Sequence, residues 1–141
     1  MCGISGIIDL SSREDHFKLV ERMNKLLYHR GPDSNGIWKN EEATLGHTRL
    51  SIIDLTKYGS QPMTSKNSRY VITYNGEIYN FIQLRKKLIA KGIKFEGKSD
   101  TEVLLKCFEI HGTRCLKYLE GMFDFEIWEK KKKILFIARD R

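Results

Sequence analysis

Phe123-Asp124-Phe125-Glu126-Ile127-Trp128-Glu129-Lys130-Lys131-Lys132-Lys133-Ile134-Leu135-Phe136-Ile137-Ala138-Arg139 reads as two strands joined by a charged turn. Phe123, Phe125 and Ile127 alternate with Asp124, Glu126 and Trp128, and past the lysines Ile134, Phe136 and Ala138 alternate with Leu135, Ile137 and Arg139. A period of two puts each set on one face of a sheet, so the stretch is an antiparallel hairpin. Upstream of it the period changes. Val103, Leu104, Cys107 and Phe108 form the apolar face of a helix ending near Gly112, and Ser99-Asp100-Thr101-Glu102 has the S-x-x-E form of a capping box at its start. Leu116 and Leu119 mark a short amphipathic segment leading into the hairpin. Phe81, Leu84 and Leu88 recur at helical spacing up to Gly92.

Tyr70-Val71-Ile72-Thr73-Tyr74 alternates as a strand does and runs into Asn75-Gly76, the strongest two-residue turn signal. Because a helical pattern follows, strand, turn, helix is expected in place of a plain hairpin. Ala43 to Ile53 holds a further strand, in which Arg49 sits among uncharged residues. Such an arginine is either paired with a carboxylate of the fold or waiting for one on a ligand. His29 to Gly36 is dense in Gly, Pro, Asp and Asn and reads as a loop that lines a site. His16 to Tyr28, with Phe17, Val20, Met23, Leu26 and Leu27, is an amphipathic helix. Cys2 to Leu10, rich in Ile and Gly, reads as a strand buried on both faces. The order predicts one α+β domain over residues 1–141, with helices packed on antiparallel sheet.

Composition narrows the function. The chain has 141 residues, of which 40% are hydrophobic, enough for one real core. No apolar run approaches the ~18 residues of a membrane span and no signal-peptide pattern opens the chain, so no membrane is expected and the expected compartment is cytoplasmic. Three cysteines, Cys2, Cys107 and Cys115, are too few for a disulfide framework and fit free thiols. Cys107, His111 and Cys115 lie four apart, but Gly112 breaks the helical register and a fourth ligand is missing, so buried thiols are expected and no metal. The net charge of +7 centres on Lys130 to Lys133. No aromatic-plus-glycine signature accompanies these lysines, so a solvated turn is expected and no nucleic acid.

Cys2 is a small core residue on the ordinary reading of a free cysteine. A different chemistry opens if Met1 is removed, because thiol and α-amine then share one carbon. The amine ordinarily titrates at about 7.7–8.0 and the thiol at about 8.5, so one residue can supply nucleophile and base.

Met1-Cys2-Gly3-Ile4-Ser5-Gly6, Arg30-Gly31-Pro32-Asp33-Ser34, Gly46-His47-Thr48-Arg49-Leu50-Ser51-Ile52-Ile53-Asp54-Leu55, Tyr74-Asn75-Gly76-Glu77-Ile78-Tyr79-Asn80, Ser99-Asp100-Thr101-Glu102 and Leu119-Glu120-Gly121-Met122-Phe123 together resemble the successive signatures of the class II glutamine amidotransferase domain. More narrowly, they are similar to the glutaminase half of glutamine-hydrolysing asparagine synthetase. The resemblance implies a four-layer αββα sandwich of antiparallel sheets, the N-terminal nucleophile hydrolase type. It implies that Cys2 is the nucleophile, and that the Asn75 side chain and Gly76 N–H form the oxyanion hole. It further implies that Arg49 grips the α-carboxylate of L-glutamine, that Asp100 receives its α-ammonium, and that Ile53, through its backbone, and Glu77 add contacts. No cofactor is implied for this domain. ATP and Mg belong to a C-terminal synthetase domain, of which the sequence holds no trace. Because the chain stops straight after a strand, a fragment of a longer chain is expected, lacking the last strands of one sheet, and its open edge makes a homodimer an expectation. Two alternatives stand beside this reading: a class II amidotransferase of sugar-phosphate or purine synthesis, or a basic binding module that has kept the scaffold without the chemistry.

Overall fold

The computed structural model describes residues 1–11 and 13–141. Strands β1 (Gly3–Ile8), β2 (Ser34–Lys39) and β3 (Ala43–Arg49) form one antiparallel sheet in the order β1-β3-β2. Strands β4 (Met63–Thr64), β5 (Tyr70–Ile78), β6 (Gly121–Glu129) and β7 (Ile134–Arg139) form a second, in the order β4-β5-β6-β7. Helix α1 (Phe17–Leu26) packs on the first sheet, while α2 (Phe81–Ala90) and α3 (Asp100–His111) pack beyond the second. The result is the expected helix, sheet, sheet, helix layering.

The alternation in β5 and β6 creates the layers. Tyr70, Ile72, Tyr74, Phe123, Phe125 and Ile127 face the helices and join Leu84, Leu88, Val103, Leu104 and Phe108 in the main core. Each fully buried aliphatic among them contributes about 1.5–3 kcal/mol. Val71 and Trp128 point the other way and meet Ala43 and Leu45 of β3 between the sheets. Cys107 and Cys115 belong to the helix-side core, where burial pushes their thiols up to about 11 and about 12. Among the described residues no helix is long and apolar enough to cross a membrane.

Several expectations fail at the level of elements. The strand from Gly3 is not buried on both faces: Gly6 is exposed, because β1 is a sheet edge and β3, buried at all seven positions, is the centre. Helix α1 buries Val20 and Asn24, while Leu26 is 78% exposed. Asn24 is accommodated because its amide donates to the Gly36 carbonyl (3.2 Å) and its Oδ1 accepts from Ser5 Oγ (2.8 Å). The loop expected from His29 to Gly36 gives way at Ser34 to β2, whose six residues pair with β3. β3 itself stops at Arg49, short of Ile53. The lysine turn is not wholly solvated, since Lys133 pairs with Glu42 (2.5 Å) and Lys130 lies over Trp38.

The correction of most consequence is Asn75-Gly76, which is no turn. β5 runs through both residues to Ile78, pairing Asn75 with Asp124 and Gly76 with Phe123. Gly76 has φ +152°, and a Cβ there would fall on the Met122 carbonyl oxygen, so only glycine lets β6 approach this closely. Ladder pairing on β6 overrides the local turn preference.

Between the sheets, the fully buried His47 lies 3.0 Å through Nε2 from the Tyr74 carbonyl, which can only accept, so Nε2 carries a proton. Burial, partly opposed by that hydrogen bond, pulls the imidazole down to about 4 from 6.5. The unfolded chain therefore takes up a proton below 6.5 that the folded chain refuses until about 4. Stability on this account is complete above 6.5 and is lost as pH falls toward 4, by about 2 kcal/mol between pH 7 and pH 5. Urea unfolding at those two pH values is expected to show that loss, and His47→Gln to show a smaller one.

Candidate active site

One end of the two sheets opens into a cleft of about 700 Å³. The start of β1, the end of β3, the end of β5, the start of β6 and the N-terminus of α3 meet there. Cys2, Arg49, Ile53, Asn75, Gly76, Glu77 and Asp100, which lie far apart in sequence, all line it.

Cys2 is half-buried and immediately precedes β1. The Leu50 N–H points at its sulfur (3.4 Å), and Arg30 Nε donates to its carbonyl (2.9 Å). Cys2 is thus held at its sulfur by Leu50 and at its carbonyl by Arg30, and Met1 beside it is largely exposed.

Arg49 is 8% exposed and Asp100 5%. The Arg49 guanidinium donates to the carbonyls of Asp54 and Thr56 (3.4 Å for the latter), and the Gly59 backbone leaves it room, since a Cβ there would strike Nη2. Asp100, the first residue of α3, accepts from Tyr74 Oη (2.7 Å), Ile78 N–H (3.3 Å) and Thr101 N–H (3.0 Å). Its helix begins where expected because Ser99 Oγ accepts from the Glu102 N–H (3.2 Å). The box is not reciprocal, as the Glu102 carboxylate turns instead to the N–H groups of Glu96 and Gly97 (2.8 Å each). Burial pushes the Asp100 carboxyl above its ordinary range, against the pull of those three donors.

Neither charge has an ionic partner among the described residues. Buried charges without counter-charges are costly, and a cation and an anion placed this way in one cleft have the chemistry to match the two ends of a zwitterion. Of the two possibilities for Arg49, pairing with a carboxylate of the fold is not what its contacts show, since it donates only to carbonyl oxygens of its own chain.

Asn75 sits on the inter-sheet face of β5 with Oδ1 buried and unpartnered. Gly76 follows it on the strand, half-buried. Ile53 and Glu77 are exposed at the rim. Residues from the sequence motifs that carried no assigned role also line the cleft. Arg30 holds the Cys2 carbonyl, and Tyr74 ties the parts together, donating its N–H to Gln61 Oε1 (2.6 Å), its hydroxyl to Asp100 and lending its carbonyl to His47. Adjacency of Tyr74 to Asn75 was the available sequence signal. Gln61, which also donates to Thr101 Oγ1 (3.3 Å), left none. Among the described residues no group of three or more His, Cys, Asp or Glu is placed to hold a metal.

A thiol just before the first strand, opening onto a cleft between two antiparallel sheets with helices outside, defines a four-layer αββα class of fold. The family described as the glutamine amidotransferase domain matches residues 1–141, and the chain belongs to it. Curated relatives include glutamine-hydrolysing asparagine synthetase 1 of Bacillus subtilis, 43% identical with 99% of this chain and 22% of the relative covered. Asparagine synthetase B of Escherichia coli is 36% identical over 99% of this chain and 25% of its own length. This chain thus spans about a quarter of the curated relatives it matches. Among solved structures, the glutamine phosphoribosylpyrophosphate amidotransferase of B. subtilis superposes with a TM-score of 0.69 at 23% identity, covering 99% of this chain and 36% of that one, which is a likeness of fold.

The Tyr74 hydroxyl favours the ionised form of Asp100, so Tyr74→Phe is expected to raise the Asp100 carboxyl further. Carbon-detected NMR titration of that carboxylate in both chains reads the direction.

Proposed function

We propose that this chain hydrolyses the side-chain amide of L-glutamine through a thioester on Cys2. The observation that carries the reading is a buried cation and a buried carboxyl outside any salt bridge among the described residues, Arg49 and Asp100, in one cleft with a thiol. Glutamine carries a carboxylate and an ammonium on its α-carbon, with the amide two methylenes away. Arg49 takes the carboxylate and Asp100 the ammonium, while the Ile53 backbone and Glu77 close the rim. An analogue lacking either charge leaves its receptor unpaired.

Removal of Met1 frees the α-amine of Cys2, which takes the thiol proton. The sulfur then adds to the amide carbon and negative charge moves to the amide oxygen. The Asn75 side-chain amide and the Gly76 N–H are the proposed donors to it, each typically worth ~10²–10³ in rate. As the C–N bond breaks, the α-ammonium returns its proton to the departing nitrogen and ammonia leaves. Water, deprotonated by the same amine, opens the thioester to give glutamate and the free thiol. While Met1 is present the nitrogen of Cys2 is an amide and cannot serve as base.

These steps call for no cofactor. The relatives' names and lengths support a longer protein in which the ammonia serves asparagine synthesis; an ATP- and Mg-dependent synthetase region and a cytoplasmic compartment are part of the proposal. Edge strand β7, with Ile134 and Ile137 exposed, is open to pairing with further strands of such a protein or with a second copy.

Intact mass before and after incubation with a diazo-ketone analogue of glutamine tests the chemistry. Loss of Met1 and a single adduct, absent in Cys2→Ala, are expected, with glutamate release from L-glutamine falling at least ~10³-fold in that variant. Retained Met1 with no adduct would favour the non-catalytic binding module.

A further inference from the structure

The two charges that face the cleft come from distant parts of the chain, Arg49 from the end of β3 and Asp100 from the start of α3. For a receptor of a small zwitterion their separation matters as much as their presence, because both ends of one α-carbon must be reached together. β3 and α3 place the two backbones and β5 holds the Asp100 carboxylate, and the loops beside them hold the rest. The guanidinium is held by the carbonyls of Asp54 and Thr56, in the loop after β3. Asp100 is delivered by the segment Glu96–Ser99, which leads into α3.

A single carboxylate joins these two segments. Asp54 is 5% exposed. Its Oδ1 accepts from Thr56 N–H (2.9 Å) and Thr56 Oγ1 (2.6 Å), folding the loop so that the carbonyls of Asp54 and Thr56 turn toward Arg49. Its Oδ2 accepts from the Lys98 N–H (2.7 Å), two residues before Asp100. The approach is close, since a Cβ on Gly97 would come within 2.9 Å of that oxygen. Burial works against the charge on Asp54, but the Thr56 and Lys98 donors and the nearby Arg49 outweigh it and hold the carboxyl below its usual range. A local loop-folding role accounts for the Thr56 contacts. It does not account for a bond to a segment 44 residues away.

We propose that Asp54 is a positioning residue that sets the spacing between the cationic and anionic grips, and so sets the selectivity of the cleft for an α-amino acid over amides of the same length lacking one α-charge. The proposal rests on the zwitterion reading of Arg49 and Asp100. It does not require Asp54 to touch the substrate, since both its carboxylate oxygens are taken up by the chain.

Asp54→Asn tests it with little change of shape. One amide atom still accepts from Thr56, but the other is then an NH2 facing the Lys98 N–H, two donors opposed, and the link between the segments is lost. Three compounds are compared on the full chain and the variant, by glutamate or acid release and by calorimetric binding: L-glutamine, glutaramic acid without the α-ammonium, and 4-aminobutanamide without the α-carboxylate. In the variant the KM and Kd of L-glutamine are expected to rise ~10-fold or more, while those of the two analogues change by less than about twofold. The preference for glutamine thus shrinks. The loss lies in KM and not in kcat, and alkylation of Cys2 by iodoacetamide keeps its rate.

Equal weakening of all three compounds, or a kcat loss accompanied by slower alkylation, would mark a merely structural role and overturn the proposal. So would an unchanged glutamine preference. If the unaltered chain binds L-glutamine without turning it over, the hydrolytic reading fails while Asp54→Asn still decides the positioning role. If it neither binds nor turns over glutamine, both fail together.

Discussion

The nine-residue ladder between β5 and β6, from Tyr70–Glu129 to Ile78–Gly121, is the constraint on which the site hangs. It forces β5 to stay extended through Asn75 and Gly76, so these residues lie at the cleft with their backbone held by the sheet. A strand also separates neighbours by face. Tyr74 turns to the helix side and reaches Asp100, while Asn75 turns to the gap between sheets. The side chain that holds Asp100 and the proposed oxyanion donor are thus adjacent residues on opposite faces of one strand.

Around that strand the molecule gathers polar groups that would be expensive without partners. The main chain of Tyr74 is tied to Gln61 and His47, and its hydroxyl to Asp100. His47 stays neutral because burial denies it a charge, which also spares Arg49 a second cation nearby. Arg49 and Asp100, both nearly fully buried, face the cleft with no salt bridge among the described residues. Fixed backbone carbonyls and N–H groups hold them at little reorganisation cost when a ligand enters, the arrangement that makes a site selective as well as tight.

The helices and sheets divide this work by rigidity. Cys2 directly precedes a strand, Arg49 ends one, Asp100 starts a helix, and Asn75 and Gly76 lie within β5, so these proposed functional groups sit in or against regular elements. The loops between them are the parts that must be tied. Asp33 accepts from the Ser51 N–H (2.7 Å), Arg30 holds the Cys2 carbonyl, and Asp54 spans to Lys98. These three residues lie within or beside the motifs, yet their work is done on backbone atoms far away in sequence.

The sequence by itself determined the alternation of β6 and β7, the helix behind Ser99 and the types of residue that the chemistry needs. Those signals are local, set by side-chain period and by a cap within one turn. Through the motifs it also singled out Cys2, Arg49, Asn75, Gly76 and Asp100, and all five line one cleft. Only the tertiary structure decided that Asn75-Gly76 is strand and not turn, because the competing ladder lies on β6, more than 40 residues on. It alone made β1 an edge, buried Asn24 in place of Leu26, and left Arg49 and Asp100 without ionic partners. Burial and pairing are properties of neighbours that the chain brings together only on folding, and no local pattern encodes which neighbours those will be.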